Sequence, residues 1–177
     1  MDKKITIGLF GTCGSSKWRE PFMKAYDEQG IKYFNPVKED WKVEDAQIEA
    51  EHLANDEIIC FPVTDETYAF GSLGEVGFSI LQAIKLNSRR EIIIMIDPDV
   101  KIISDPESVS GMMTTSEIVA EQKRKDSIKA RALVMAHLKK IDYPNVWIVK
   151  NLENMLKLSL HLHALAVLKE GAKQYTL

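Results

Sequence analysis

Three short segments of this chain carry residue types suited to covalent chemistry or small-molecule binding. In Phe70-Gly71-Ser72-Leu73-Gly74-Glu75-Val76-Gly77, a carboxylate stands among glycines that let another group approach closely, and Tyr68 and Phe70 can stack on a planar ring. The same spacing satisfies the S-x-x-E capping box, in which Ser72 and Glu75 each occupy the other's backbone donor; spacing alone leaves Glu75 divided between cap and chemistry. Glu49 falls in a helical stripe with Ala46, Ala50, Leu53 and Ala54. A carboxylate there either has a partner or a task, because burying it alone is costly, or lies at the rim and reaches water. The third segment, Gly11-Thr12-Cys13-Gly14-Ser15-Ser16-Lys17-Trp18-Arg19, is a loop of small residues opening a helix. It presents backbone donors to an anion or a hydroxyl-rich ligand, and serves equally as a tight strand-to-helix turn. Arg19 can pair with a phosphate or hold a carboxylate. Two carboxylates at one cleft suit glycosidic chemistry, one attacking an anomeric carbon while another group manages protonation.

Other chemistries find little support. The Walker A loop and the GxGxxG fingerprint are both absent. No histidine is placed by sequence to activate Cys13, which reads as a free loop thiol, and Cys60 lies in an apolar run and reads as core. The four histidines form no HExxH pair and no Cys/His spacing suggests zinc, so neither a metal nor an organic cofactor is expected.

The elements that must position these residues can be read from periodicity. Five segments, Ile5 to Phe10, Ile31 to Phe34, Glu57 to Phe61, Glu91 to Ile96 and Asn145 to Val149, are rich in β-branched or apolar residues and alternate with helical stretches. That alternation predicts an α/β fold, a flavodoxin-like three-layer sandwich with a five-stranded parallel sheet. Ligands in such sheets bind beyond the carboxyl ends of the strands where strand order reverses, so the turns after the first three strands should form the site. The first helix should bury Trp18, Phe22, Ala25 and Tyr26 and stop at Gly30; Pro21, lacking a donor, belongs in its first turn, which puts Trp18 and Arg19 at the ligand edge. A second helix is expected over about Val43 to Asn55. A third should run from about Ser72 to Leu86 with Leu73, Val76, Ile80, Leu81 and Ile84 inward, and a last from about Leu152 to Lys169.

Between the fourth and fifth strands a long polar helix is expected from about Ser116 to Lys140, so that 1–177 forms one domain with a helical insertion around 98–142. Its basic residues Lys123, Arg124, Lys125, Lys129 and Arg131 are interrupted by Glu117, Glu121 and Asp126 without interleaved aromatics. They read as a solvated face or subunit contact rather than a nucleic-acid patch. Composition agrees: 177 residues with 45% hydrophobic and 28% charged suffice for one core, and a net charge of -3 offers no bulk attraction to nucleic acid or anionic lipid. No apolar run approaches the roughly 20 residues of a membrane helix and no signal-peptide pattern is seen, so a cytoplasmic location is expected.

A family resemblance emerges from the order of Ile7-Gly8-Leu9-Phe10-Gly11, Trp18-Arg19, Phe34-Asn35-Pro36, Trp41, Ile48-Glu49 with Leu53, Glu57-Ile58-Ile59-Cys60-Phe61 and Ser72-Leu73-Gly74-Glu75-Val76-Gly77. Over about the first 97 residues the chain resembles the nucleoside 2-deoxyribosyltransferase family, particularly its broader deoxyribosyltransferase-like branch. The resemblance implies that Glu75 is the nucleophile, taking C1′ of the deoxyribose as a glycosyl ester while the base leaves, and that another base or water then attacks with net retention. It implies a role beside the sugar for Glu49, where an aspartate is common. The place six residues before the nucleophile, an aspartate contacting the base in well-studied members, is Ala69 here, with Asp65 and Glu66 nearby. Gly11, Thr12, Trp18, Arg19, Asn35, Asp65, Tyr68, Phe70 and Ser72 are thus expected around a deoxynucleoside or deoxynucleotide and its nucleobase, in a homo-oligomer whose C-terminal tail, with Tyr175, can complete a neighbour's pocket. An N-glycosidase using the same glutamate and a non-catalytic nucleotide sensor are the alternatives.

Overall fold

Side-chain alternation along two central strands decides the architecture, a three-layer α/β sandwich. The structure, a computed structural model, describes residues 5–14, 16–85, 90–101 and 115–175. Its strands are β1 (Thr6–Leu9), β2 (Lys32–Phe34), β3 (Ile58–Val63), β4 (Glu91–Ile96) and β5 (Val146–Ile148), all parallel, in the order β2-β1-β3-β4-β5. In β3 and β4, Ile58, Cys60, Ile93 and Met95 point to one face, and Ile59, Phe61, Val63, Ile92, Ile94 and Ile96 to the other. A strand apolar on both faces must be covered on both, which is why helices flank the sheet.

On the first face α1 (Arg19–Glu28) and α5 (Leu152–Ala172) pack through Phe22, Tyr26, Met155 and Leu162, joined by Trp18 at the α1 entrance. The other face is covered by α3 (Phe70–Lys85) and α4 (Thr115–Leu138), with Leu53 of α2 (Asp45–Asn55) at its margin. Of the expected inner face of α1, Trp18, Phe22 and Tyr26 are buried and Ala25 is half-buried; Pro21 lies in its first turn, and the chain reverses at Gly30, whose φ of +64° suits glycine. Two expectations need correction. None of α2 is fully buried: Ala46 and Ala50 are exposed, Ala54 is half-buried, and Leu53, in the last turn, packs against the sheet layer. In α3, Leu73, Val76 and Ile80 are buried but Leu81 faces outward, because an inner stripe through Leu73, Val76 and Ile80 turns position 81 away from the sheet. The side chain of Ile84, and residues 102–114 of the expected insertion, lie outside the described residues. Among the described residues no helix is long and apolar enough to cross a membrane.

Candidate active site

Strand order reverses between β1 and β3, and the turns leaving these strands meet there. Gly11, first after Phe10 beyond β1, has φ +94°, and a Cβ on it would stand 2.2 Å from the carbonyl oxygen of Pro62, so only glycine lets this turn pack against the carboxyl end of β3. The contact is sealed by the amide of Thr12 donating to the Pro62 carbonyl (2.9 Å) and the amide of Thr64 donating to Thr12 Oγ1 (2.9 Å).

Beyond this seam lies a cavity of about 360 Å³ lined by Phe10, Gly11, Cys13 and Gly14 from the first turn, Pro36 after β2, Glu49 of α2, Thr67 and Ala69 after β3, and Gly71, Ser72 and Glu75 of α3. Its size is in the range of small-molecule sites. Glu49 and Glu75, on different helices, therefore share one cavity. Glu49 is half-buried and accepts a hydrogen bond from Trp41 Nε1 at 2.6 Å, which leaves its other oxygen available to a ligand. Partial desolvation raises the proton affinity of Glu75 above the ordinary carboxylate range, and the negative charge of Glu49 raises it further.

The capping-box reading of Glu75 is overturned. The amide of Leu73 donates to the carbonyl of Ala69 (2.9 Å), so the helix is capped at Ala69, which adopts φ +54°, and Ser72 is already its third residue. Ser72 thus stands inside the first turn rather than at the cap. Among the described residues the Glu75 side chain has no hydrogen bond, and the residue remains open to solvent at the cavity.

Of the residues expected around a ligand, Gly11, Ser72, Glu49 and Glu75 line the cavity, whereas the others have different tasks. Arg19 is buried: its Nε donates to Leu9 O (2.9 Å), Nη1 to Thr12 O (2.6 Å) and Nη2 to Gly11 O and Cys13 Sγ (3.5 Å each). Buried, and with four of its five N–H groups spent on β1 and the turn that follows it, Arg19 shapes the wall rather than pairing with a phosphate. Trp18 stacks against that guanidinium at 4.4 Å, donates Nε1 to Thr12 O (2.9 Å) and packs edge-on against Phe22 in the core. Thr12 is the tie to Thr64 just described. Asn35 Oδ1 accepts from the amide of Val37 (3.0 Å), and the wall beside it belongs to Pro36. Asp65 pairs with Lys101 (2.6 Å), turned toward the end of β4. Tyr68 donates its hydroxyl to Ala120 O (3.2 Å) and stacks on Phe70 at 5.9 Å, a pair beside the cavity rather than in its lining.

In the sequence, Trp41 has no role beyond the motif it helps form, and Arg131 reads as one charge of a solvated run. A tryptophan in the β2–α2 loop, eight residues before a glutamate of α2, carries no periodic signal, and a buried arginine cannot be told from an exposed one in a charged helix. A larger hollow of about 810 Å³ opens at the opposite, amino-terminal edge of the sheet, among Ile5, Ile58, Trp147, Leu162 and Leu165. It holds none of the expected site residues. No protein-family model and no curated protein matches the chain. The fold and cavity define a flavodoxin-like α/β domain with two carboxylates at the reversal of strand order.

Proposed function

We propose that the protein is a nucleoside 2-deoxyribosyltransferase, cleaving and re-forming the N-glycosidic bond of 2′-deoxynucleosides through Glu75. The observation that carries this reading is the shared cavity of Glu49 and an uncapped Glu75 at the carboxyl edge of the sheet. An ionised Glu75 attacks C1′, the C1′–N bond breaks with its electron pair passing to the base nitrogen, and the departing base takes up a proton from solvent. Glu49, oriented by Trp41, accepts a sugar hydroxyl and stabilises positive charge developing on the ring. An acceptor base then attacks C1′ through a ring nitrogen that gives up its proton to solvent, releasing the Glu75 carboxylate and returning the original configuration. With water as acceptor the outcome is hydrolysis, and that second reading is favoured by apolar Ala69, which stands in the wall where the resemblance puts a base-contacting aspartate.

Incubation with a panel of deoxynucleosides and 5′-deoxynucleotides, with and without a second base, tests both: the second base entering the product marks transfer, and free deoxyribose marks hydrolysis. Mass spectrometry should find a deoxyribosyl adduct on the peptide containing Glu75. Glu75→Gln should lower kcat by several orders of magnitude while leaving the thermal melt almost unchanged, since no cap is lost. Near wild-type turnover by this variant rules Glu75 out as the nucleophile.

A further inference from the structure

One turn of α4, remote in sequence from every expected site residue, grips the loop that leads into α3. Arg131 is fully buried and commits all five of its N–H groups: Nε to Ser127 Oγ (3.1 Å), Nη1 to Val63 O (3.4 Å) and Asp97 O (2.9 Å), and Nη2 to Thr64 O (2.9 Å) and Thr67 O (2.8 Å). Ser127, also fully buried and four residues earlier on the same face, donates Oγ to Tyr68 O (2.7 Å). Side chains of α4 therefore hold the carbonyls of residues 63, 64, 67 and 68 in succession. The next residue is Ala69, which sits in the left-handed region, lines the cavity and starts α3. An L-residue stays in that conformation only where its surroundings impose it.

We propose that Arg131 and Ser127 are positioning residues for Glu75, holding the loop 64–69 so that α3 begins at Ala69 and its first turns deliver the carboxylate to the cavity. This rests on the function proposed above, and assigns a task to a helix that the composition marks only as polar. Neither side chain lines the cavity, so both act through the backbone. A loosened loop lets α3 withdraw, which relieves the remaining partial desolvation of Glu75 and separates it from Glu49; its proton affinity then falls toward that of an ordinary carboxylate. The titratable groups on the wall around Glu75 are Glu49 of α2 and Cys13 of the first turn, and only Glu49 bears on its ionisation; on the clamp side Asp65 is paired with Lys101. Arg131→Lys keeps the positive charge while losing the fork that reaches several carbonyls at once, so a change it causes at Glu75 is geometric rather than electrostatic.

The test compares wild-type chain, Arg131→Lys and Ser127→Ala; the second removes a single hydroxyl and keeps the comparison available if the first fails to fold. Titration of carboxyl carbons by NMR, with the Glu75 signal assigned from Glu75→Gln, gives the ionisation midpoint without any substrate. The kcat and KM for the deoxynucleoside that the wild type turns over fastest give the consequence. The expected result, in variants with unchanged far-ultraviolet circular dichroism, is a Glu75 midpoint at lower pH with kcat reduced about tenfold or more and KM little altered. An unmoved midpoint, or a moved midpoint with wild-type kcat, overturns the proposal. A moved midpoint in a chain whose wild type transfers and hydrolyses no deoxyribose keeps the positioning and refutes the reaction assigned to it.

Discussion

The two carboxylates of the cavity differ in their surroundings, and the difference fits distinct tasks. Glu49 is tied by Trp41, whereas Glu75 has no hydrogen bond among the described residues, as the attack proposed for it requires. Desolvation, the larger cause, and the neighbouring negative charge both favour the protonated form of Glu75. Because the nucleophile must be ionised, the acid limb of kcat/KM should lie above the ordinary carboxylate range. Glu49→Gln removes the repulsion, eases ionisation and should move that limb to lower pH without bringing it fully to the ordinary value; a limb moving upward would contradict the arrangement. The thiols give a second contrast. Cys60 is buried and its pKa is pushed up to about 12, while Cys13 is exposed on the cavity wall. Native protein should therefore consume one equivalent of a thiol reagent near neutral pH, and a nucleoside occupying the cavity should slow that reaction.

The elements that matter most for the site are two turns, and each is built by interactions from elsewhere in the chain. The turn after β1 depends on Gly11, Arg19 and Trp18, while the loop after β3 depends on Thr12, Arg131 and Ser127. Gly11 and Gly14 separate conformation from contact. Both have positive φ, but a Cβ on Gly11 meets the Pro62 carbonyl and one on Gly14 meets nothing within 4 Å. Gly14→Ala should cost about 1–2 kcal/mol, from backbone conformation alone. Gly11→Ala must also displace β3, so urea denaturation should show a larger loss, together with impaired activity; equal losses would mean that Gly11 and β3 are not in close contact.

Across the whole molecule, the larger hollow and the proposed site lie at opposite edges of the sheet. The chemistry proposed here belongs to the smaller one, because strand order reverses beside it and loops from β1, β2 and β3 converge there. Hydrogen exchange in the presence of a deoxynucleoside should slow at amides of 11–14, 64–69 and the first turns of α3. Protection concentrated instead around Ile58, Trp147 and Leu165 would move the ligand to the amino-terminal edge.

Period-two and helical patterns were enough to read the five strands, their parallel pairing and the outlines of α1, α3, α4 and α5, since burial on one or both faces leaves a local trace in the residues themselves. The clustering of glycines around a glutamate likewise marked the segment that lines the cavity. Whether Glu75 caps its helix could not be read from S-x-x-E, because the helix start is decided by Ala69 and by hydrogen bonds from α4 about sixty residues away. The same holds for Arg19 and Arg131. In sequence they are charges open to ligand or solvent, and only tertiary packing shows their donors consumed by backbone carbonyls. A side chain's partners depend on which distant segments the sheet brings alongside it, and that juxtaposition leaves no periodic signal along the chain.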